Sequence, residues 1–433
     1  MKKEKLRNDW YTLDNAAKIY PSTKNNRWTA IYRCSAVLKS VVDKKALQMA
    51  LDATVKRYPT YSVSLRKGVF WYYFQGCYAK PKIEPDVYYP CRNFNFKDKL
   101  PMFRVLYSRN RVSVEFFHSL TDGYGGINFL NTLLLKYFAI LGDKIPPDNL
   151  LHYDDVSKEE EMEDSYKRYY NQEAKKISRK EASAYHIKGV RELDGVLNVV
   201  HGEVATDKLK EMAKHYNVTI NQLIVGVFAY VCYKRKLYDA KKQRKKPIKI
   251  NVAINLRKFF PSITLRNFSA IMNVELDEKE NNEEMTFEEV LAVMTENSKK
   301  ALTEDAMNSF IKANYEIERN FAIRIVPLFL KRIAMKIAVY KVGEDLYTSV
   351  VSNMGVVKTP EKFKEYIDRY EFTIGQQKYN HNALAVGSFN NKTVITFSRN
   401  IKSSSIEREF FRFLSEHGLD VFIVANKGGN ENE

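Results

Sequence analysis

Around residues 112–142 the hydrophobic period changes from that of a strand to that of a helix within a few residues. No other feature of the chain constrains its fold as tightly. Val112, Val114 and Phe116 alternate with Ser113, Glu115 and Phe117, which predicts a strand. Leu130, Leu133, Leu134, Tyr137, Phe138 and Leu141 then recur at helical spacing. Between the two runs lies His118-Ser119-Leu120-Thr121-Asp122-Gly123, followed by Gly125 and Gly126. A strand that turns through a glycine-rich corner into a helix is a unit of an α/β fold. Parity predicts that His118 points the same way as Val114 and Phe116.

This corner suits proton chemistry. A neutral imidazole takes a proton near pH 7 because its ordinary pKa lies close by. A carboxylate in the same turn can hold the turn or the ring, and a glycine leaves room for close approach to the backbone. The alternative is a structural histidine beside a turn aspartate.

The rest of the chain fits that class. Thr29 begins a strand predicted over 29–38, and Asp43 caps a helix carrying Ala46, Leu47, Ala50, Leu51 and Val55. An aromatic strand is predicted over 69–74, and a hairpin over 106–118 turning at Ser108-Arg109-Asn110. Residues 153–183 are charged and poor in aliphatics, which predicts a surface helix or linker. Beyond them come a strand over 196–204, a helix capped by Thr206, and a capping box of Thr219 and Gln222. Ile248, Ile250, Val252 and Ile254 alternate as a strand, and Thr286 with Glu289 opens another helix. Strands are predicted at 350–351, 383–389 and 393–397, and a last helix at 405–414.

Length and composition narrow the function. A chain of 433 residues accommodates two domains, and 45% hydrophobic with 13% aromatic residues fits sizeable cores. No apolar run is long enough to span a membrane, and no apolar leader follows the basic first residues. Four scattered cysteines (Cys34, Cys77, Cys91, Cys232), with no C-x-x-C, predict a reducing cytoplasm and neither a disulfide framework nor zinc. His152, His186, His201, His215, His381 and His417 show no metal-ligand spacing. The net charge of +18 suits a polyanionic small molecule, nucleic acid or anionic lipid. The densest basic run, 234–246, is read first as a solvated helix end and loop.

The stretch from Phe116 to Gly123 resembles the signature of the CoA-dependent acyltransferase superfamily, which includes chloramphenicol acetyltransferase, alcohol acetyltransferases and peptide-synthetase condensation domains. Other segments agree in order and spacing. The run from Leu13 to Pro21 is similar to the opening of bacterial alcohol acetyltransferase-like members. The runs from Asn255 to Ser262 and from Leu265 to Phe268 resemble their mid-chain block. Val351-Ser352-Asn353-Met354-Gly355 resembles their Ser-Asn-x-Gly segment. The likeness extends from about residue 10 to about 425. Condensation domains carry two adjacent histidines. Here Phe117 precedes His118, which leans toward a stand-alone enzyme with no carrier domain expected after it. The Asp-Phe-Gly-Trp-Gly block of the plant branch is absent.

The resemblance implies an α/β (α+β) fold of two similar chloramphenicol acetyltransferase-like halves. Each half is a mixed sheet with helices, and the active-site tunnel runs between them. An N-terminal half at 1–152 would carry the motif, 153–190 would link, and 191–433 would form the C-terminal half. The implied reaction moves an acyl group, with acetyl as one candidate, from CoA to an alcohol or amine. His118 would act as general base, with direct attack on the thioester. Asp122 would organise the turn and pair with an arginine, for which Arg257 is the candidate; the alternative for Arg257 is solvent or CoA. Gly123 would keep the channel clear or simply turn the chain. Ser352 and Asn353 would donate to the oxyanion or merely form a turn. Asn255 and Asn267 flank another rim, and His381 is a weaker candidate for the acceptor side. No cofactor or metal is implied beyond acyl-CoA as co-substrate, and no nucleic-acid partner. A monomer in the cytoplasm suffices. Two other readings compete: a condensation-like enzyme using an acyl carrier protein, and a non-catalytic binding module of the same fold.

Overall fold

The computed structural model describes residues 10–77, 79–96, 100–148, 150–176, 181–239, 245–278, 284–341 and 343–426. Two large sheets dominate. The first has five strands in the order Ile367–Ile374, Ile31–Leu38, Arg111–Phe117, Phe103–Ser108, Ile83–Pro85. The second has seven, in the order Ser269–Leu276, Ile248–Asn255, Ser349–Val356, Asn382–Phe389, Lys392–Arg399, Asn198–Ala205, Phe422–Ala425. Ser349–Val356 runs parallel to both its neighbours; the other pairings in this sheet are antiparallel. A third sheet of three short strands joins Trp10–Thr12 to the hairpin Val63–Lys67 and Tyr72–Gly76.

Most predicted elements appear close to their expected bounds. Asp43 accepts from Ala46 N at the start of helix Lys44–Arg57. The capping boxes of Thr219 with Gln222 and of Thr286 with Glu289 are both formed. Thr206 differs: it is the first helical residue, and its hydroxyl pairs with Thr393 Oγ1 at 2.8 Å instead of capping. The aromatic strand starts later than expected, at Tyr72, because residues 68–71 turn the hairpin.

Two differences matter for organisation. Strand Ile367–Ile374, from the late part of the chain, completes the first sheet by pairing with Ile31–Leu38. Chain order therefore does not partition the two sheets. Residues 153–190 also do more than link. The described ones include two single-turn helices, Glu159–Met162 and Ser165–Arg168, and Glu161 is buried against Arg57 at 2.7 Å and Tyr166 is buried beside Phe268.

The polar parity of strand Arg111–Phe117 is buried too. Glu115 accepts from Arg33 Nε at 2.8 Å, Arg104 Nε at 2.6 Å and the Cys91 amide at 2.6 Å. Burial alone would raise its pKa, but Arg33 and Arg104 hold it below the ordinary carboxylate value. A charged side chain can line a covered sheet face because it is fully paired.

The helical part of the basic run at 234–246 is paired with carboxylates, whereas Lys246 donates to the Ser183 hydroxyl at 3.2 Å and Lys245 is exposed. Lys234 pairs with Glu284, Lys236 with Glu278, and Arg235 with Asp239 at 3.1 Å. Lys241, Lys242 and Arg244 lie outside the described residues. Among the described residues no helix is long and apolar enough to cross a membrane, and no cluster of three or more side chains could hold a metal ion. All four cysteines are buried and free.

Candidate active site

His118 is the first residue beyond strand Arg111–Phe117, and its amide donates to Ala30 O at 2.8 Å. Its ring stacks on Tyr20, with centroids 4.6 Å apart, and meets the edge of Tyr32 at 5.1 Å. Tyr32 also stacks on Phe116 at 5.6 Å, so His118 and Phe116 share one side as parity predicts.

One ring nitrogen is fixed. His118 Nδ1 lies 3.0 Å from Asn267 Oδ1. Asn267 Nδ2 donates to Asp14 Oδ2 at 3.1 Å, and the Asn267 amide donates to the same oxygen at 3.4 Å. Asp14 therefore sets the amide orientation and leaves Oδ1 as an acceptor facing the histidine. Nδ1 must then carry the proton, and Nε2 presents a lone pair. Burial pushes the imidazole pKa below its ordinary value; the hydrogen bond to Asn267 and the carboxylates of Asp122 and Asp14 pull the other way. Asp14 is wholly buried, which raises its pKa; Arg266, 3.6 Å away, and the amides around it oppose that rise. The imidazole is thus neutral at pH 7, oriented, and able to accept a proton at Nε2.

Asp122 does not touch this ring nitrogen. Its Oδ1 caps helix Gly123–Ile140 by accepting from Tyr124 N at 3.1 Å and Gly125 N at 3.2 Å. Its Oδ2 accepts from Arg257 Nη1 and from the Phe268 amide, both at 2.8 Å. Arg257 also donates to the carbonyls of Thr264 and Arg266, each at 2.7 Å, and to Asn255 Oδ1 and Phe268 O. With Nε on Thr264 O, all N–H groups of the guanidinium are spent on protein acceptors, so Arg257 has no donor left for CoA. The ion pair instead ties the motif turn to the 255–268 block. That block also delivers Asn267 to His118.

The glycines serve this docking. A Cβ on Gly125 would overlap Thr121 Oγ1 and the Leu265 carbonyl, and one on Gly126 would lie 2.7 Å from the Tyr32 hydroxyl. A Cβ on Gly123 would meet Met354 Sδ at 2.8 Å. Gly123 thus makes room for Met354 in the irregular end of strand Ser349–Val356 from the second sheet, and its φ is not left-handed. In that strand Asn353 is committed to structure: Nδ2 donates to Asn221 Oδ1 at 3.0 Å, and Oδ1 accepts from Gly355 N at 2.8 Å. Gly355 supplies the positive φ, +69°, where the pairing register of the strand shifts. Ser352, partly exposed in the middle of strand Ser349–Val356, has no side-chain partner among the described residues. His381 Nδ1 pairs with Asn400 Oδ1 at 2.8 Å.

Sequence reasoning gave no role to Asp14 or Tyr20. Both lie in the opening segment that carried part of the resemblance, and that was the only available signal.

No family model and no curated protein matches the chain. Solved structures do. Polyketide synthase associated protein 5 from Mycobacterium tuberculosis aligns at 12% identity over 93% of this chain and 96% of its own, with a TM-score of 0.61. TRI101 of F. sporotrichioides, complexed with coenzyme A and T-2, aligns at 9% identity over 95% and 99%, with a TM-score of 0.61. The starter condensation domain of rhizomide synthetase RzmA aligns at 11% identity over 94% and 96%, with a TM-score of 0.53. These likenesses run nearly the full length of each chain, and they are likenesses of fold. The protein has the chloramphenicol acetyltransferase-like fold that condensation domains share with CoA-dependent acyltransferases.

Proposed function

We propose that the protein is an acyltransferase that moves an acyl group from a CoA thioester to an alcohol or amine. The observation that carries this reading is the His118–Asn267–Asp14 chain. It leaves one basic nitrogen free at the corner where the first sheet's motif strand ends and Gly123 meets Met354 of a strand in the second. In this reading Nε2 removes the proton of the acceptor as its oxygen or nitrogen attacks the thioester carbonyl. Collapse of the tetrahedral intermediate releases the CoA thiolate, which takes the proton back from the imidazolium. Ser352 Oγ is the candidate donor to the oxyanion. Asp122 and Arg257 act as positioning residues. No other cofactor takes part. The similarity in fold to TRI101 complexed with coenzyme A supports a CoA donor.

The test is thiol release from acetyl-CoA and longer acyl-CoAs, with a panel of alcohols and amines, for wild type and His118→Ala. The expected outcome is acceptor-dependent release that falls by ~10²–10⁴-fold in the variant. Full activity in His118→Ala would refute the base assignment. The fold likeness to condensation domains favours one second reading, a carrier-borne donor. Release from an acyl carrier protein, with none from CoA, would select it.

A further inference from the structure

Helix Leu328–Lys341 is built inside out. Lys331 faces the protein and is buried, donating to the carbonyls of Phe70 at 3.1 Å and Arg324 at 3.0 Å. Its ammonium sits 3.7 Å from the Trp71 ring centre. Arg332 is half-buried, with Nε wholly covered. The outer face carries Phe329, Leu330, Ile333 and Ile337, and Phe329, Ile333 and Ile337 are each about 60% exposed. Phe321 and Ile325, just before this helix, are exposed as well. The patch continues onto the neighbouring hairpin tip, where Val69 and Phe70 are exposed and Val69 O accepts from Leu328 N at 2.8 Å. An ordinary surface helix has the opposite arrangement, and a contiguous apolar face of this kind marks an interaction site.

Charge identifies the occupant. From 321 to 341 the chain has no Asp or Glu but has Arg324, Lys331, Arg332, Lys336 and Lys341. Arg324 and Lys336 are exposed beside the apolar face and make no ion pair among the described residues. A protein partner of mixed charge would call for some carboxylates at the rim. An apolar stripe with cations alone matches a surface of acyl chains beneath anionic headgroups.

We propose that this face docks the protein on the surface of an anionic lipid bilayer, lying in the interface without crossing it. Helix Ile19–Thr23 packs against Leu328–Lys341, and its Tyr20 stacks on His118. One short helix therefore connects the docking helix to the candidate active site, although the docking itself does not depend on acyl transfer.

The experiment is co-sedimentation of the full-length protein with vesicles of phosphatidylcholine alone and with about one third phosphatidylglycerol, at ~0.1 M salt. Wild type is expected to bind the anionic vesicles at least about tenfold better than the neutral ones. The double variant Ile333→Glu/Ile337→Glu, both positions being exposed, is expected to lose about tenfold or more of that binding while keeping its Tm. Absence of wild-type binding overturns the proposal. So does full binding by the double variant, which would assign the effect to the overall charge. Self-association of wild type that the variant abolishes, without vesicle binding, overturns it in favour of a second copy.

Discussion

His118 works through residues far away in sequence. Its partner Asn267 lies beyond the midpoint of the chain, and Asn267 is in turn oriented by Asp14 near the start. The chain of contacts predicts a graded response. Asn267→Ala should lower kcat by roughly tenfold or more while His118→Ala costs ~10²–10⁴-fold. The pH profile separates orientation from mere packing. A general base acts when neutral, so activity is present above the imidazole pKa and lost as pH falls through it. Burial places that pKa below the ordinary 6.5, so the acid limb of kcat/KM should lie below pH 6.5. Removing Asn267, whose bond favours the protonated ring, should move the limb lower still. An unmoved limb would make Asn267 a packing residue only. Sequence pattern reached His118 and Asp122 because both sit on one local strand-to-helix corner. Asn267 was visible only as one of two rim asparagines, and Asp14 had no assigned role. Periodicity reports which face a residue is on; it does not report which distant residue that face meets.

At the level of elements, the motif helix begins where three glycines let it approach its neighbours. Gly125 is the tightest, wedged against Thr121 Oγ1, the Leu265 carbonyl and the Tyr61 hydroxyl. Gly125→Ala would help an isolated helix but forces these groups apart here, two of them backbone or closely packed. It should destabilise the protein by about 1–3 kcal/mol and lower Tm, as thermal unfolding would reveal. Unchanged stability would mean that the 255–268 block yields easily. Elements with strong local signals were legible: capped helices, alternating strands and the hairpin at 103–117. Helix Leu328–Lys341 went unread, because an outward apolar face and an inward lysine invert the usual pattern. Strand Ile367–Ile374 was missed for another reason. Its Asp368, Arg369 and Glu371 look like a polar surface segment until their partners are seen in strands of both sheets.

Across the whole molecule, those charges join the sheets. Arg369 reaches Glu203 at 3.8 Å, and Lys392 bridges Asp368 at 2.7 Å and Glu203 at 3.0 Å. His201 packs 3.6 Å from Glu371 and shares a hydrogen bond with Thr396 at 2.9 Å. Burial pushes the His201 pKa down to about 4, and Arg111 and Arg369 add to that against the pull of Glu371. The unfolded chain thus binds this proton from about pH 6.5 downward, whereas the folded one resists until about 4. Stability should fall as pH drops through that window, by on the order of 3 kcal/mol from this group. Denaturant unfolding at several pH values, for wild type and His201→Gln, checks it: the acid loss should be smaller in the variant. Equal losses would place the acid sensitivity elsewhere.

The late strand Ile367–Ile374 also bears on how the protein is made. Ile31–Leu38 emerges early from the ribosome, but its partner on one side is among the last strands synthesised. For most of translation that strand stands as an open edge, with unpaired amides and carbonyls that a neighbouring nascent chain can extend. The Asp14–Asn267 contact likewise waits until the middle of the chain has been made. Correct folding therefore requires that this edge stay unoccupied until the strand that belongs to it arrives.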